Sequence, residues 1–228
     1  MAIWGIYVWV ALYILSLVLG AIKIQWNFYL YSYNQGQGKQ IALTFDDGPA
    51  EYTSAILDVL KEHNVKAAFF FIGKNIRSNA GVLKRAHNEG HVIGNHSFSH
   101  GFLIDLKTPV GFAYEIERTN AAVNEVIGVK PMLFRPPYGV TNPNVASAVT
   151  RTGMKSVGWS LRSYDTVAKD GSKLLDTVLS KLKGGDVILL HDSVTVTQEI
   201  LTELIAKAQE KGFTFVRVDQ LLDIEAYQ

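Results

Sequence analysis

Short apolar runs alternate with longer segments of helical spacing through most of this sequence, from about residue 41 to residue 218. The run 67–72, which contains three consecutive phenylalanines, is typical of a strand buried on both faces. Strands that alternate with helices form parallel sheets, because each helix carries the chain back to the start of the next strand. The pattern therefore predicts an α/β fold, either a parallel barrel or a doubly wound sheet.

The boundaries of the predicted elements follow from the spacing of apolar residues. Strands are predicted at 41–45, 67–72, 91–94, 132–134, 154–159, 187–190 and 214–218. Helices are predicted at 53–63, 79–89, 109–127, 144–152, 174–181 and 197–211. Several polar residues fall just after predicted strands, and the carboxyl ends of barrel strands converge on one mouth.

The composition narrows the possible functions. Among 228 residues, 22 are basic and 21 acidic, and no basic stripe is visible, which argues against a nucleic-acid partner. The absence of cysteine excludes disulfides, thiolate nucleophiles and cysteine-ligated zinc. A metal site in this chain must therefore use histidine and carboxylate ligands. The sequence does not specify the oligomeric state.

The first 22 residues contain no charged side chain, and Lys23 follows them. At ~1.5 Å per residue, such a helix can cross a hydrocarbon core of ~30 Å. The alternatives are a cleaved signal peptide, which would normally have a basic start and a small-residue cleavage site, and a buried core helix. A helix that is apolar on every face is hard to bury in a domain of this size. We therefore expect a retained membrane anchor, with interfacial aromatic residues after it.

His96 and His100 are separated by four positions, which on a helical turn would place two imidazoles on one face. Asp47 follows the predicted strand 41–45 and could supply a third ligand. Two histidines and one carboxylate with open positions suit Zn²⁺ or another first-row divalent ion. Surface histidines on a helix are the alternative interpretation of the pair.

Three further residues have the chemistry of a hydrolytic site. Asp46 is adjacent to Asp47, and consecutive side chains of an extended segment point in different directions, so one could bind metal while the other faces water. His191 ends the apolar run 187–190, and Arg135 precedes two prolines that fix its direction. A buried structural histidine and a surface arginine turn are the alternatives.

Together these motifs resemble the signature of the polysaccharide deacetylase family (the NodB-homology domain, carbohydrate esterase family 4). The matching segments are 44–49, 96–100, 135–139, 159–165 and 189–191, and the resemblance covers about residues 40–220. It implies a distorted (β/α)7 barrel, one divalent metal ion (zinc, with cobalt, nickel or manganese as alternatives) and an N-acetylated glycan substrate.

The resemblance also implies a role for each matched residue. The implied metal ligands are Asp47, His96 and His100. The implied catalytic residues are Asp46 as base, His191 as acid, Arg135 holding Asp46, Asp165 orienting His191, and Tyr138, whose backbone N–H holds the oxyanion. Tyr138, Trp159 and Leu189 are expected to line the substrate site. The sequence departs from the family at Arg162 and Thr166, where aspartate and tryptophan are common, and the missing tryptophan removes an apolar wall beside His191.

The leading hypothesis is a membrane-anchored enzyme that removes N-acetyl groups from amino sugars of a cell-envelope polymer. Its anchor would be residues 1–24, its linker 25–40 and its catalytic domain 41–228. Lys23 alone would place the domain in the cytoplasm by the positive-inside rule, but the inferred substrate places it outside. The alternatives are action on O-acetyl esters, lipid-linked sugars or small cyclic amides, and a non-catalytic carbohydrate-binding module.

Overall fold

A computed structural model describes the backbone of residues 2–228 and the side chains of residues 4–228. The strands are β1 (Ser32–Tyr33), β2 (Gln40–Asp46), β3 (Ala68–Phe71), β4 (Val92–Asn95), β5 (Leu133–Phe134), β6 (Lys155–Val157), β7 (Leu161–Arg162), β8 (Val187–His191) and β9 (Thr214–Phe215). The helices are α1 (Ala2–Ile22), α2 (Thr53–Glu62), α3 (Gly73–Ile76), α4 (Ala80–Asn88), α5 (Pro109–Ile127), α6 (Pro143–Arg151), α7 (Gly171–Lys181), α8 (Thr195–Glu210) and α9 (Val218–Leu222).

One curled sheet organises the domain. Its strand order is β1-β6-β5-β4-β3-β2-β8-β7, with β9 paired to β2, and every strand pair is parallel. The sheet forms a half-barrel that is open between β1 and β7, with helices packed on its outer face. The predicted α/β fold with a distorted barrel is thus confirmed.

Alternate residues of the strands point to opposite faces of the sheet, as strand geometry requires. In β3, Phe69 and Phe71 pack in the outer cluster against the helices, whereas Phe70 packs in a second cluster on the concave side. In β2, Leu43 and Phe45 face the helices. Because Asp46 follows Phe45, its side chain is directed to the concave side.

Most predicted elements lie within two or three residues of the observed bounds, but two of the four two-residue strands, β1 and β7, are absent from the prediction. Ser32 and Tyr33, in the segment predicted as a linker, pair with β6 and so belong to the sheet. Strand β7 and helix α9 were also not predicted, and the last strand ends at Phe215 rather than at Val218. Elements of two to five residues carry too few positions to reveal a period.

Helix α1 extends from the domain with nearly all of its side chains exposed. Its length and composition suit a membrane span and a signal sequence alike. The carboxyl end of the helix is attached to the domain: the Thr141 N–H donates to the Ala21 carbonyl at 2.9 Å, and the Thr141 hydroxyl donates to the Gly20 carbonyl at 3.4 Å. The end of α1 is therefore fixed beside the loop that follows Arg135.

Candidate active site

The register of neighbouring strands places Asp46 beside His191. Strand β2 pairs with β8 such that Asp46 is opposite His191, and it pairs with β3 such that Asp46 is opposite Phe70. Both polar residues end their strands, where parallel strands leave the sheet at one edge. The candidate base and the candidate acid therefore meet at the carboxyl-end mouth of the half-barrel.

A cleft of about 210 Å³ opens at this mouth. Its lining includes the predicted residues Asp46, Asp47, His96, His100, Tyr138, Trp159, Leu189 and His191, and also Gly139, Arg162 and Thr166. Of the other predicted residues, Arg135 and Asp165 lie directly behind this lining, where they contact Asp46 and His191. The structure thus brings every predicted site residue to one place.

Asp47, His96 and His100 form a group that could hold a metal ion. Asp47 Oδ1 lies 3.6 Å from His96 Nε2 and 3.5 Å from His100 Nε2. Tetrahedral zinc with bonds near 2.0–2.1 Å separates its ligand atoms by about 3.3 Å, so these spacings fit. The Nδ1 of His96 lies 2.7 Å from the Arg135 carbonyl, an acceptor that orients the ring and leaves Nε2 to bind. Burial lowers the pKa of His96 to about 3, so the imidazole is neutral, as a ligand must be.

The expectation that His96 and His100 share a helical turn is wrong. Residues 96–100 form a loop in which Ser97 and His100 have positive φ angles of 63° and 47°. The loop is held by side chains: Asn95 Oδ1 accepts from Ser97 N–H, and Glu115 Oε2 accepts from Phe98 and Ser99 N–H at 3.2 and 2.7 Å. These contacts satisfy backbone N–H groups that would otherwise be hydrogen-bonded within a helix.

The side chains of Asp46 and Asp47 diverge through a turn and not, as predicted, through the alternation of an extended strand. Only Asp46 is in the strand, because Asp47 is in the left-handed region with φ 77°. The turn sends the Asp47 carboxylate toward the two imidazoles, while Asp46 Oδ2 lies 3.8 Å from His96 Nε2. The two carboxylates therefore face the same space from different sides, as expected, but through a turn.

Arg135 is completely buried and fixes Asp46. Its Nη1 donates to Asp46 Oδ1 and to the Thr44 hydroxyl, both at 2.8 Å. Its Nε and Nη2 donate to the carbonyls of Val157 and Gly158. Burial raises the pKa of Asp46, and the Arg135 guanidinium opposes that shift by favouring the carboxylate.

Asp165 is a buried acceptor for His191. It accepts from His191 Nδ1 at 2.8 Å, from the His191 backbone N–H at 2.7 Å and from the Thr197 hydroxyl at 2.6 Å. Burial disfavours the charged imidazole, but the hydrogen bond and the negative charge of Asp165 outweigh burial, and the pKa of His191 lies above its usual value. With Nδ1 bound to Asp165, Nε2 of His191 faces the cleft and can donate a proton.

A tight turn forms one wall of the cleft. Tyr138 has φ 58° and Gly139 has φ 69°, and a Cβ on Gly139 would overlap the Trp159 ring. Only glycine allows the turn to lie so close to this ring. The Tyr138 ring is half exposed and packs edge-on against His100, with ring centroids 4.7 Å apart. Arg162 and Thr166, where the sequence departs from the family, are exposed and also line the cleft.

Two buried carboxyl groups that brace the site were not identified from the sequence. Glu115 holds the histidine loop, as described above, and also pairs with Lys107 at 3.2 Å. Asp192 lies behind the 47–50 turn: its Oδ2 accepts from the Thr53 hydroxyl at 2.6 Å, and its carboxyl would overlap a Cβ on Gly48. Burial, with Asp46 and Asp47 nearby, raises the pKa of Asp192 to about 7. The adjacency of Asp192 to His191 was the only available signal.

Comparison with known proteins agrees with this geometry. The family model described as polysaccharide deacetylase matches residues 33–157. A peptidoglycan-N-acetylglucosamine deacetylase of Bacillus cereus is 35% identical over 199 residues, which are 85% of this chain and 72% of that protein. The peptidoglycan-N-acetylglucosamine deacetylase PgdA of Listeria monocytogenes is 37% identical over 184 residues. That match covers 80% of this chain but 39% of the Listeria protein, so the chain spans about two fifths of that relative.

Solved structures share the fold. The Bc1960 peptidoglycan N-acetylglucosamine deacetylase, in complex with 4-naphthalen-1-yl-N-oxidanyl-benzamide, superposes with a TM-score of 0.81 at 34% identity and covers 86% of this chain and 94% of that chain. BA3943 of Bacillus anthracis, a CE4 family pseudoenzyme, superposes with a TM-score of 0.78 at 27% identity, covering 83% and 68%. With the family match over residues 33–157 and the Bacillus cereus relative, these likenesses show that the chain belongs to the polysaccharide deacetylase family.

Proposed function

We propose that this protein is a metal-dependent deacetylase that hydrolyses N-acetyl groups on amino sugars of a cell-envelope glycan. One observation carries the proposal: a candidate base, a candidate acid and three metal donors line a single cleft. The similar fold of a pseudoenzyme means that the fold alone does not establish activity. Support for activity therefore comes from these side chains and not from the sheet that holds them.

The residues of the cleft divide the hydrolysis between them. A divalent ion held by Asp47, His96 and His100 would lower the pKa of a water that it binds and polarise the acetyl carbonyl. Asp46, fixed by Arg135, accepts the proton of the attacking water. The backbone N–H of Tyr138 holds the oxygen that becomes negative. His191 gives its proton to the nitrogen as the carbon–nitrogen bond breaks, so acetate and a free amine leave.

The sugar is proposed to pack against the apolar wall of the cleft. Trp159 and Leu189 are buried on the concave side, and Tyr138 covers the rim. Aromatic and aliphatic faces suit the apolar face of a sugar ring and exclude water from the acetyl group. Helix α1 is proposed as a membrane anchor with the catalytic domain outside the cytoplasm, which is supported by its exposed apolar surface.

The purified full-length protein is expected to release acetate from an N-acetylated chito-oligosaccharide or from peptidoglycan. A chelator should abolish the release, and added Zn²⁺ should restore it. Elemental analysis of His96→Ala and His100→Ala should show loss of the bound ion, because each imidazole is one of three donors. His87 is partly buried on α4 and does not line the cleft, so it supplies the control His87→Ala, which should keep the ion. Full occupancy in both cleft variants would overturn the metal assignment.

Asp165→Asn is expected to move the alkaline limb of the kcat/KM profile toward lower pH. Asp165 raises the pKa of His191, so removing its charge lowers that pKa, and the acid loses its proton at a lower pH. The acid limb should move much less. Asp170→Asn, which removes an exposed carboxylate from the same loop, is the matched control and should leave the profile in place. An unchanged alkaline limb in Asp165→Asn would contradict the role of Asp165.

A further inference from the structure

A second pocket, of about 240 Å³, lies where the end of α1 meets the open edge of the sheet. Residues Ile22, Lys23 and Gln25 line one side of it. Residues 159–162 and Lys181, at the end of α7, line the other. We call this the basic pocket, because it places three cationic side chains around one space.

The charge of the basic pocket is unbalanced. Lys23, Arg162 and Lys181 are exposed, and none of them forms an ion pair with any residue from 4 to 228. Within the same range, no carboxylate lines the pocket. Like charges held around one cavity repel each other, and the cost is relieved by an anion with several oxygens. A phosphate or pyrophosphate group has that chemistry.

The basic pocket adjoins the catalytic cleft. Trp159 and Arg162 line both spaces. The Arg162 guanidinium stacks near Trp159 and Tyr164, at 5.8 and 5.0 Å from their ring centroids, so it stands on the shared rim. A ligand with an amino sugar in the cleft and a phosphate next to that sugar would span both spaces.

The basic pocket also lies at the end of the apolar helix. Lys23 is the first charged residue after the span, and it lines the pocket directly. If α1 crosses a membrane, the pocket is at the level of the lipid headgroups, where a charged residue following a span is expected. A phosphate carried by a lipid in that membrane would then lie within reach of the pocket.

From these features we propose that the basic pocket binds the phosphate or pyrophosphate that joins a lipid carrier to the amino sugar. The preferred substrate of the neighbouring cleft is then an N-acetylated sugar that is still attached to its lipid carrier, and the finished polymer is the poorer one. This inference rests on the proposed deacetylase function and on the anchoring of α1. It also assigns a role in phosphate binding to Arg162, a position at which the sequence departs from its family.

The test uses the full-length protein in phosphatidylcholine nanodiscs and compares two substrates. One is an N-acetylglucosamine disaccharide on a polyprenyl pyrophosphate, and the other is the same disaccharide without the lipid and phosphate. Wild type is expected to prefer the first. Lys181→Gln should raise KM for the first about 10-fold, the effect of one lost charge-assisted hydrogen bond, and leave the second unchanged. Lys181→Arg should keep the preference, and the exposed neighbour Lys183 gives the control Lys183→Gln, which should resemble wild type.

Distinct results would overturn the inference. Equal kcat/KM of wild type for both substrates, or an equal loss on both in Lys181→Gln, would show that the pocket does not recognise the carrier phosphate. If the Lys181→Gln defect appeared only after anionic lipid was added to the nanodiscs, the pocket would bind headgroups and the substrate assignment would fall. If neither substrate released acetate, the proposed deacetylase function would be overturned, and this inference with it.

Discussion

Asp46→Asn is expected to abolish turnover while the protein stays folded and keeps its metal ion. Asparagine has nearly the shape of aspartate, and its oxygen can still accept from Arg135 Nη1, which lies 2.8 Å from Asp46 Oδ1. The amide cannot take a proton from water, so the base is lost. Loss of a general base lowers kcat by about 10²–10⁴-fold. The measurement is acetate release at matched metal occupancy.

The control for Asp46→Asn is Asp223→Asn, which neutralises an exposed carboxylate far along the chain. This control should retain full activity. Elemental analysis must give the same metal content for both variants, because Asp46 is not one of the three donors. Near-normal kcat in Asp46→Asn with the ion bound would show that another group accepts the proton.

Among the substitutions proposed for this protein, Arg135→Met should cause the largest decrease in the free energy of unfolding. The guanidinium is fully buried and donates to Asp46, Thr44 and the carbonyls of Val157 and Gly158. Methionine fills part of the space but leaves the Asp46 carboxylate buried without its partner. Breaking a buried ion pair in this way costs about 3–5 kcal/mol of the free energy of unfolding. Urea unfolding of the full-length protein in detergent, followed by tryptophan fluorescence, measures this loss.

Arg151→Met provides the comparison for Arg135→Met. Arg151 is exposed at the end of α6, so Arg151→Met makes the same chemical change on the surface. Surface substitutions alter the free energy of unfolding by about 0.5 kcal/mol or less. If Arg135→Met were no less stable than Arg151→Met, the buried network would not be holding Asp46. Because the network fixes the base, activity should fall together with stability.

The sequence predicts the parts of this site that depend on strand register. Parallel strands deliver their carboxyl ends to one edge, so Asp46 and His191, each at the end of an apolar run, could be placed together without knowing the fold in detail. The choice between a barrel and a doubly wound sheet was not decided by the residues. Family resemblance decided it, and the curled sheet agrees with that decision.

Other parts of the site depend on contacts that no local pattern records. The spacing of His96 and His100 indicated a helix, but Asn95 and Glu115 hold these residues in a loop instead. Glu115 is in the first half of α5, where a glutamate is ordinarily a solvated residue, and nothing in its neighbours marks it as an acceptor for the loop. Strand β1 was missed because two residues cannot show alternation.

The close approach of Gly48 to Asp192 ties together two parts of the chain that are far apart in sequence. Any side chain at position 48 would collide with the Asp192 carboxyl, so glycine is required there by a residue beside the candidate acid. Substitutions at the two positions should consequently compensate each other: a homologue with alanine at 48 needs a smaller residue than aspartate at 192. Position 48, in the first motif, can therefore change in evolution only together with position 192, which directly follows the last motif.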